Sequence, residues 1–252
     1  MKRDKKQSLR EKSSEEKLVD EIRGLGRTYG LNEVFTTFLE LFATGLAMEM
    51  DPIHAEERKK RYEELEASLD EEALASYGRM SLLLILVAAE NMADPKDILG
   101  AVYSELRLNN EWSGQFFTPD PVCRAMAMMT GIGEKSSIEE NELTTVCEPT
   151  CGSGALLIAS IWAMRQKGKL PENMVFMAQD IDIRCVWMAY IQCCLYRIPA
   201  VIKHGNSLTM EVWSEWHTAD YIRLVMESFR EKSTERKDAE KEENSKKEEI
   251  AV

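Results

Sequence analysis

An α/β fold is predicted, a partial parallel sheet preceded by a region of helices, and three observations predict it. The stretch Val146-Cys147-Glu148-Pro149-Thr150-Cys151-Gly152-Ser153-Gly154-Ala155-Leu156-Leu157 reads as a buried strand that stops at an acid, turns through glycines and enters a helix at once. After it, short apolar strands alternate with helical patterns as far as Leu208. Ahead of it, apolar residues recur at helical spacing.

Residues 1–12 read as a disordered basic arm, and residues 13–110 as a helical N-terminal domain. Val34, Phe38, Leu41, Phe42 and Leu46 follow the spacing of three and four that one helix face requires. Asp51-Pro52 and Asp94-Pro95 each read as an N-cap followed by proline at the first helical position. Between them, Glu56 to Leu69 is charged enough to be a solvated helix or an extended connection. Ser81 to Ala93 is apolar nearly all round, which predicts the buried helix of this region. No chemistry is visible here, and packing on the domain that follows is the expected role.

The partial sheet domain is expected over 111–229. A loop, Gly114-Gln115-Phe116-Phe117-Thr118-Pro119, leads to a helix start at Asp120-Pro121. A helix over Ala155–Gln166, a strand from Met174 to Ala178, a helix through Trp187, Tyr190, Ile191 and Leu195, and a strand over Ala200–Lys203 complete a β-α-β-α-β order. That order implies a parallel sheet with ligands at the C-terminal strand ends. Glu148, Asp180 and Asn206 fall at those ends.

Glycines let backbone approach a ligand closely, and the first turn of a helix offers unpaired N–H groups. The acid Glu148 beside them argues for a ligand carrying a cation, a sulfonium or ammonium, rather than phosphate. No lysine follows the glycines, which excludes a Gly-x-x-x-x-Gly-Lys phosphate loop. Asp180 can bind ribose hydroxyls and Asn206 a base edge. Helix capping by Asp180 or Asp182, and a turn role for Asn206, remain open alternatives.

The chain has 252 residues and a formal charge of −12, and a large share of its acidic residues lies in Glu56–Glu72 and in the tail from Glu227 onward. That charge neither supports nor excludes DNA as a partner. No apolar run long enough to span a bilayer is visible, and no apolar segment follows the basic N-terminus, so no membrane association and a cytoplasmic protein are expected. Its six cysteines lack zinc spacing and are expected to be reduced, small buried hydrophobes, with no metal.

The loop Gly114 to Pro119, the turn Glu148-Pro149-Thr150-Cys151-Gly152-Ser153-Gly154, Ala178-Gln179-Asp180-Ile181-Asp182 and Gly205-Asn206-Ser207-Leu208 occur in one order. In that order they resemble the adenine-N6 DNA methyltransferases, above all the modification subunits of type I restriction systems, over roughly 109–208. The resemblance implies a Rossmann-like fold that binds S-adenosylmethionine, with DNA as a partner. Phe117 and Thr118 would line the methionine end and Glu148 would take the amino group. Pro149, Cys151, Gly152 and Gly154 would form the turn, Asp180 would hold the ribose, and Asn206 would meet the adenine, its amide oxygen accepting from the amino group.

One element of that family has no counterpart here. Its chemistry uses an Asn/Asp-Pro-Pro-Tyr/Phe tetrapeptide that accepts hydrogen bonds from the target amino group and stacks on the flipped base. This chain has no Pro-Pro, no proline after Pro199 and no target-recognition part, so it resembles the family truncated after the cofactor-binding half. A helix is expected over 210–229, its Trp213 and Trp216 serving as core or edge cover, and a disordered charged tail over 230–252. With only about three strands, Thr145 to Cys147 would form an apolar sheet edge. It is expected to be covered by the 210–229 helix, a second copy or another protein. Three roles follow: a methyltransferase completed by a partner, an inactive cofactor-binding regulatory subunit, or an interaction module with a relic site.

Overall fold

The computed structural model describes residues 11–108, 117–132, 144–168 and 174–228. Helices α1 (Ser14–Tyr29), α2 (Leu31–Met50), α3 (Ala55–Ser68), α4 (Glu71–Glu90), α5 (Ile98–Glu105) and α6 (Asp120–Met129) come first. Then β1 (Thr144–Glu148), α7 (Ala155–Gln166), β2 (Met174–Asp180), α8 (Ile183–Tyr196), β3 (Ala200–Asn206) and β4 (Glu211–His217) follow, and α9 covers 219–228. The arm before residue 11, Gly114 to Phe116 and the tail from 229 lie outside the described residues.

Local chemistry sets the helix ends. Ser13 and Glu16 form a reciprocal capping box at α1. Gly30, at φ +88°, is the sole residue between α1 and α2, a conformation open to glycine and strained for other residues. Asp51 and Asp94 are not N-caps. Asp51 ends α2, its carboxylate serving the turn to α3 instead, and the cap of α5 is Asp97, whose side chain accepts from Gly100 N–H. Proline does open α6, near its first turn.

The helix expected to be buried all round is not. In α4, Met80, Leu84, Val87 and Ala88 are buried, whereas Leu82 is 64 % exposed and Ile85 and Leu86 are also exposed. By length and composition α4 reaches what a membrane span requires, which corrects the expectation that no such run exists. Its buried side packs on α1, α2 and α8.

The sheet order is β1-β2-β3-β4, with the first three strands parallel and β4 antiparallel to β3. The expected α/β fold is present. One face, carrying Val146, Phe176, Ala178, Ile202 and Trp216, joins the main core. The opposite side of β1 bears exposed Thr145 and Cys147. Helix α8 is packed by β2 and β3 and by α2, α4 and α5, so the core runs unbroken from Leu18 to Trp216.

The segment expected as a helix over 210–229 is a strand and then a helix. Asn206 Oδ1 accepts from Leu208 N–H at 2.9 Å and Thr209 N–H at 3.4 Å, Met210 takes φ +62°, and the chain reverses into β4. Trp213 and Trp216, three apart on a strand, point to opposite faces. Trp213 is exposed against His204, and Trp216 is buried against Trp187 and Tyr190 with the Arg58 guanidinium 3.8 Å from its ring centre. Because β4 lies at the far end of the sheet, it does not cover β1. Among the described residues β1 pairs with β2 alone, and none of them adds a strand at its outer edge.

Candidate functional site

Glu148, Asp180 and Asn206 are the last residues of β1, β2 and β3, as the strand pattern predicts. Parallel register brings the turn after β1 against the end of β2. Cys151 N–H donates to the Gln179 carbonyl at 2.9 Å, and Gly152 N–H donates to Asp180 Oδ2 at 2.9 Å. The other oxygen of Asp180 accepts from Asp182 N–H at 2.9 Å, while Asp182 caps α8. Asp180 is thus a brace for the turn, and Asp182 takes the capping role that the sequence left open between them.

Two glycines make the turn possible. Gly152 lies at φ +54° with the Phe117 ring 3.3 Å from where a Cβ would sit. Gly154 lies at φ +90°, and a Cβ there would stand 3.1 Å from Ala189 Cα. The first lets an aromatic cover the turn; the second lets α7 start against α8. Phe117 is in turn held edge-on to Tyr103 of α5, ring centres 5.2 Å apart.

A cleft of about 230 Å³ opens here, lined by Phe117, Thr118, Glu148, Cys151 and Gly152 from the predicted set. Cys123, Met126, Thr150, Ser153, Ala155 and Leu156 complete it. The N-terminus of α7, which has no side-chain cap, forms one wall. Glu148 Oε1 accepts from Thr150 N–H at 3.2 Å, leaving an acidic group beside backbone donors. That mixture suits a ligand with both an amino and a carboxylate end. The buried Cys151 thiol is pushed well up by loss of solvent and by Asp180, so it is a neutral wall rather than a nucleophile.

Pro149, Gly154, Asp180 and Asn206 stand outside the lining. Pro149 accepts through its carbonyl from the Ser207 hydroxyl, which joins the turn to the end of β3. Asn206 Oδ1 is occupied by Leu208 and Thr209 N–H, so the turn role is present, and that oxygen is not free for a ligand's amino group. Cys147 is exposed, against the expectation that all six cysteines are buried. Its place on the face of β1 opposite the core is the reason.

Sequence reasoning missed a polar group behind the cleft, half-buried Asp97 with buried Ser153 and Gln192. It also missed a cluster of Asp51, His54 and His217, whose ligand-type atoms lie within 4.8 Å of one another. Both histidine Nδ1 atoms point at one oxygen, Asp51 Oδ2, at 2.9 and 3.0 Å. That oxygen fills the point where the two rings converge, which makes the cluster a hydrogen-bonded clamp. Neither group carries a sequence motif, since Ser153 and Gln192 lie far along the chain from Asp97, and His217 far from Asp51 and His54.

Among solved structures the chain is similar to the methyltransferase subunit of a type I restriction-modification system from Streptococcus thermophilus. The identity is 18 %, over 80 % of this chain and 59 % of that one, with a TM-score of 0.40. It is also similar to a putative class I S-adenosylmethionine-dependent methyltransferase from Listeria monocytogenes. Here the identity is 15 %, over 77 % of this chain and 54 % of that one, with a TM-score of 0.41. This chain therefore spans less than two thirds of either. No curated protein matches. Residues 94–249, more than half of the chain and reaching past the 109–208 stretch on both sides, match the profile of the N-6 DNA Methylase family, and the chain belongs to that family.

Proposed function

We propose that this chain holds S-adenosylmethionine at the C-terminal ends of β1 and β2, as the cofactor-binding part of a DNA adenine-N6 methyltransferase. It would act on DNA with a partner that brings the catalytic tetrapeptide and the reading of sequence. Family membership supports S-adenosylmethionine-dependent methylation; adenine in DNA, the partner and the site residues are this reading's own. The observation that carries it is the cradle, in which Asp180 fixes Gly152 beside a cleft walled by Phe117, Thr118 and Glu148.

When bound, the cofactor supplies an electrophilic methyl on a sulfonium. The residues of this chain bind and orient it. Phe117 and Thr118 flank the methionine end, and Glu148 receives its ammonium. Asp180 uses two acceptor sites on backbone N–H groups and retains others for ribose hydroxyls. Asn206 has only its amide N–H₂ left, so it would donate to a ring nitrogen of adenine rather than accept from the amino group.

A partner is supported by the β1 edge, which no other described strand pairs with, and by the groove of about 330 Å³ beside it, lined by Met126, Ile132, Val146, Leu156 and Phe176 among others. The absence of Pro-Pro favours a second reading, an inactive regulatory or interaction subunit. Calorimetric titration with S-adenosylhomocysteine tests the first. Micromolar binding supports it, and no binding at millimolar ligand overturns it. Methyl transfer to plasmid DNA by the single chain would overturn the need for a partner. Transfer appearing only with a co-purified partner would overturn the inactive reading.

A further inference from the structure

We infer that Asp97 is a positioning residue for the glycine turn, fastening it through Ser153 to the helical region, with Gln192 completing the tie. The inference rests on the cofactor reading above for its ligand. Asp97 caps α5 with Oδ1, which accepts from Gly100 N–H at 2.9 Å and from Gln192 Nε2 at 2.9 Å. Its other oxygen accepts from Ser153 Oγ at 2.5 Å. Gln192 Nε2 also donates to the Ser153 carbonyl at 2.8 Å, and Gln192 Oε1 accepts from Ile98 and Leu99 N–H at 2.7 and 3.1 Å.

Ser153 and Gln192 are buried, at 1 % and 0 % exposure. A carboxylate in such a place is costly unless hydrogen-bonded, and here its hydrogen-bond donors are neutral. Burial accordingly pushes the Asp97 carboxyl up, against the pull of Ser153, Gln192 and Gly100. Capping a helix needs one side-chain oxygen. The second oxygen goes to the turn.

The need lies in the turn itself. Ser153 stands between two residues at positive φ, Gly152 and Gly154, where backbone freedom is greatest. Strand β2 holds the first half through Asp180 and the Gln179 carbonyl. Asp97 and Gln192 hold the second half from α5 and α8. The joint is tight: a Cβ at Gly100 would sit 2.0 Å from Asp97 Oδ2 and 2.7 Å from Ser153 Oγ.

The test uses the full chain and Ser153→Ala, Asp97→Ala and Asp97→Asn, with two readouts: amide hydrogen exchange and titration with S-adenosylhomocysteine. In Ser153→Ala, exchange at 150–154 should rise about tenfold, with β2 and α8 unchanged, and affinity should fall about tenfold. Asp97→Asn keeps an acceptor for Gly100 and Gln192 and offers an N–H to the Ser153 hydroxyl, so it should restore slow exchange that Asp97→Ala loses. Unchanged turn exchange in Ser153→Ala would overturn the inference. So would an equal rise across β2 and α8, or Asp97→Asn as fast as Asp97→Ala. If Asp97→Ala does not fold, Ser153→Ala alone decides. A wild type that binds no S-adenosylhomocysteine sinks the cofactor reading, while the exchange data still judge the positioning role.

Discussion

Asp180 accepts the backbone N–H of Gly152 at 2.9 Å, so the last residue of β2 sets the position of the turn that follows β1. Replacing it with alanine leaves that N–H without its acceptor and removes the proposed ribose contact. Asp180→Ala should weaken S-adenosylhomocysteine binding by about a hundredfold, the worth of one or two hydrogen bonds to a charged group. Asp180→Asn, which keeps an acceptor for Gly152, should lose less. Equal affinity in Asp180→Ala and wild type, measured by calorimetry, would remove Asp180 from the site.

Gly154→Ala meets two penalties that can be separated. Its φ of +90° is strained for any side chain, and its Cβ would press on Ala189 Cα at 3.1 Å and Ala189 Cβ at 3.2 Å. Together these should cost about 1–3 kcal/mol and lower Tm by several degrees. Adding Ala189→Gly removes the Cβ contact but not the backbone strain, so the double variant should recover only part of the loss in thermal melts.

The parallel half of the fold was legible because its signals are local. An apolar run, an acid and a glycine turn lie within a dozen residues, and α7 falls on its predicted bounds. Strand β4 was not legible, because its turn, Ser207 to Met210, has no glycine or Asn-Gly pair to announce a hairpin. Instead Asn206 folds it from outside and Met210 accepts the positive φ. Trp213 and Trp216 then fit a helical spacing as well as a strand's. The same limit hid Asp97 and Asp51. An Asp-Pro pair is a strong local signal, and it drew the caps to Asp51 and Asp94, whereas Asp97 is fixed by Ser153 and Gln192, and Asp51 by His54 and the distant His217.

Asp51 and His217 join α2 to β4, and His54 shares the same carboxylate oxygen. Burial pushes the Asp51 carboxyl up, but the hydrogen bonds from His217 and His54 outweigh it and hold the pKa down at about 2, below the ordinary 3.8. Glu215, 3.8 Å from His217 Nε2, the Arg58 charge, and the Tyr221 ring stacked on His217 also face the cluster. A carboxyl depressed in the folded state is protonated first in the unfolded chain. Its stabilisation is therefore complete above about pH 5 and is lost as pH falls through about 2. Asp51→Asn should melt below wild type at neutral pH, with the two Tm values converging toward pH 2. A constant gap across that range would mean that Asp51 is not held as a carboxylate.

Cys147 is the exposed cysteine, and it sits on β1, the end strand of the described sheet. The others are shielded: burial pushes the Cys123 thiol up to about 11 and Cys194 to about 12, and raises Cys185, Cys193 and Cys151 as well. A thiol reagent at pH 8 should therefore modify a single cysteine quickly in the folded chain, and Cys147→Ser should abolish that phase. The remaining thiols should react only on unfolding, since both access and thiolate fraction are low. The fast phase also reports on the edge. A chain that adds a strand to β1 sets a side chain directly beside Cys147 on the same face, so such a partner should slow the labelling of Cys147 as it binds. A complex in which Cys147 reacts at the free rate would place the partner elsewhere and leave β1 an open edge.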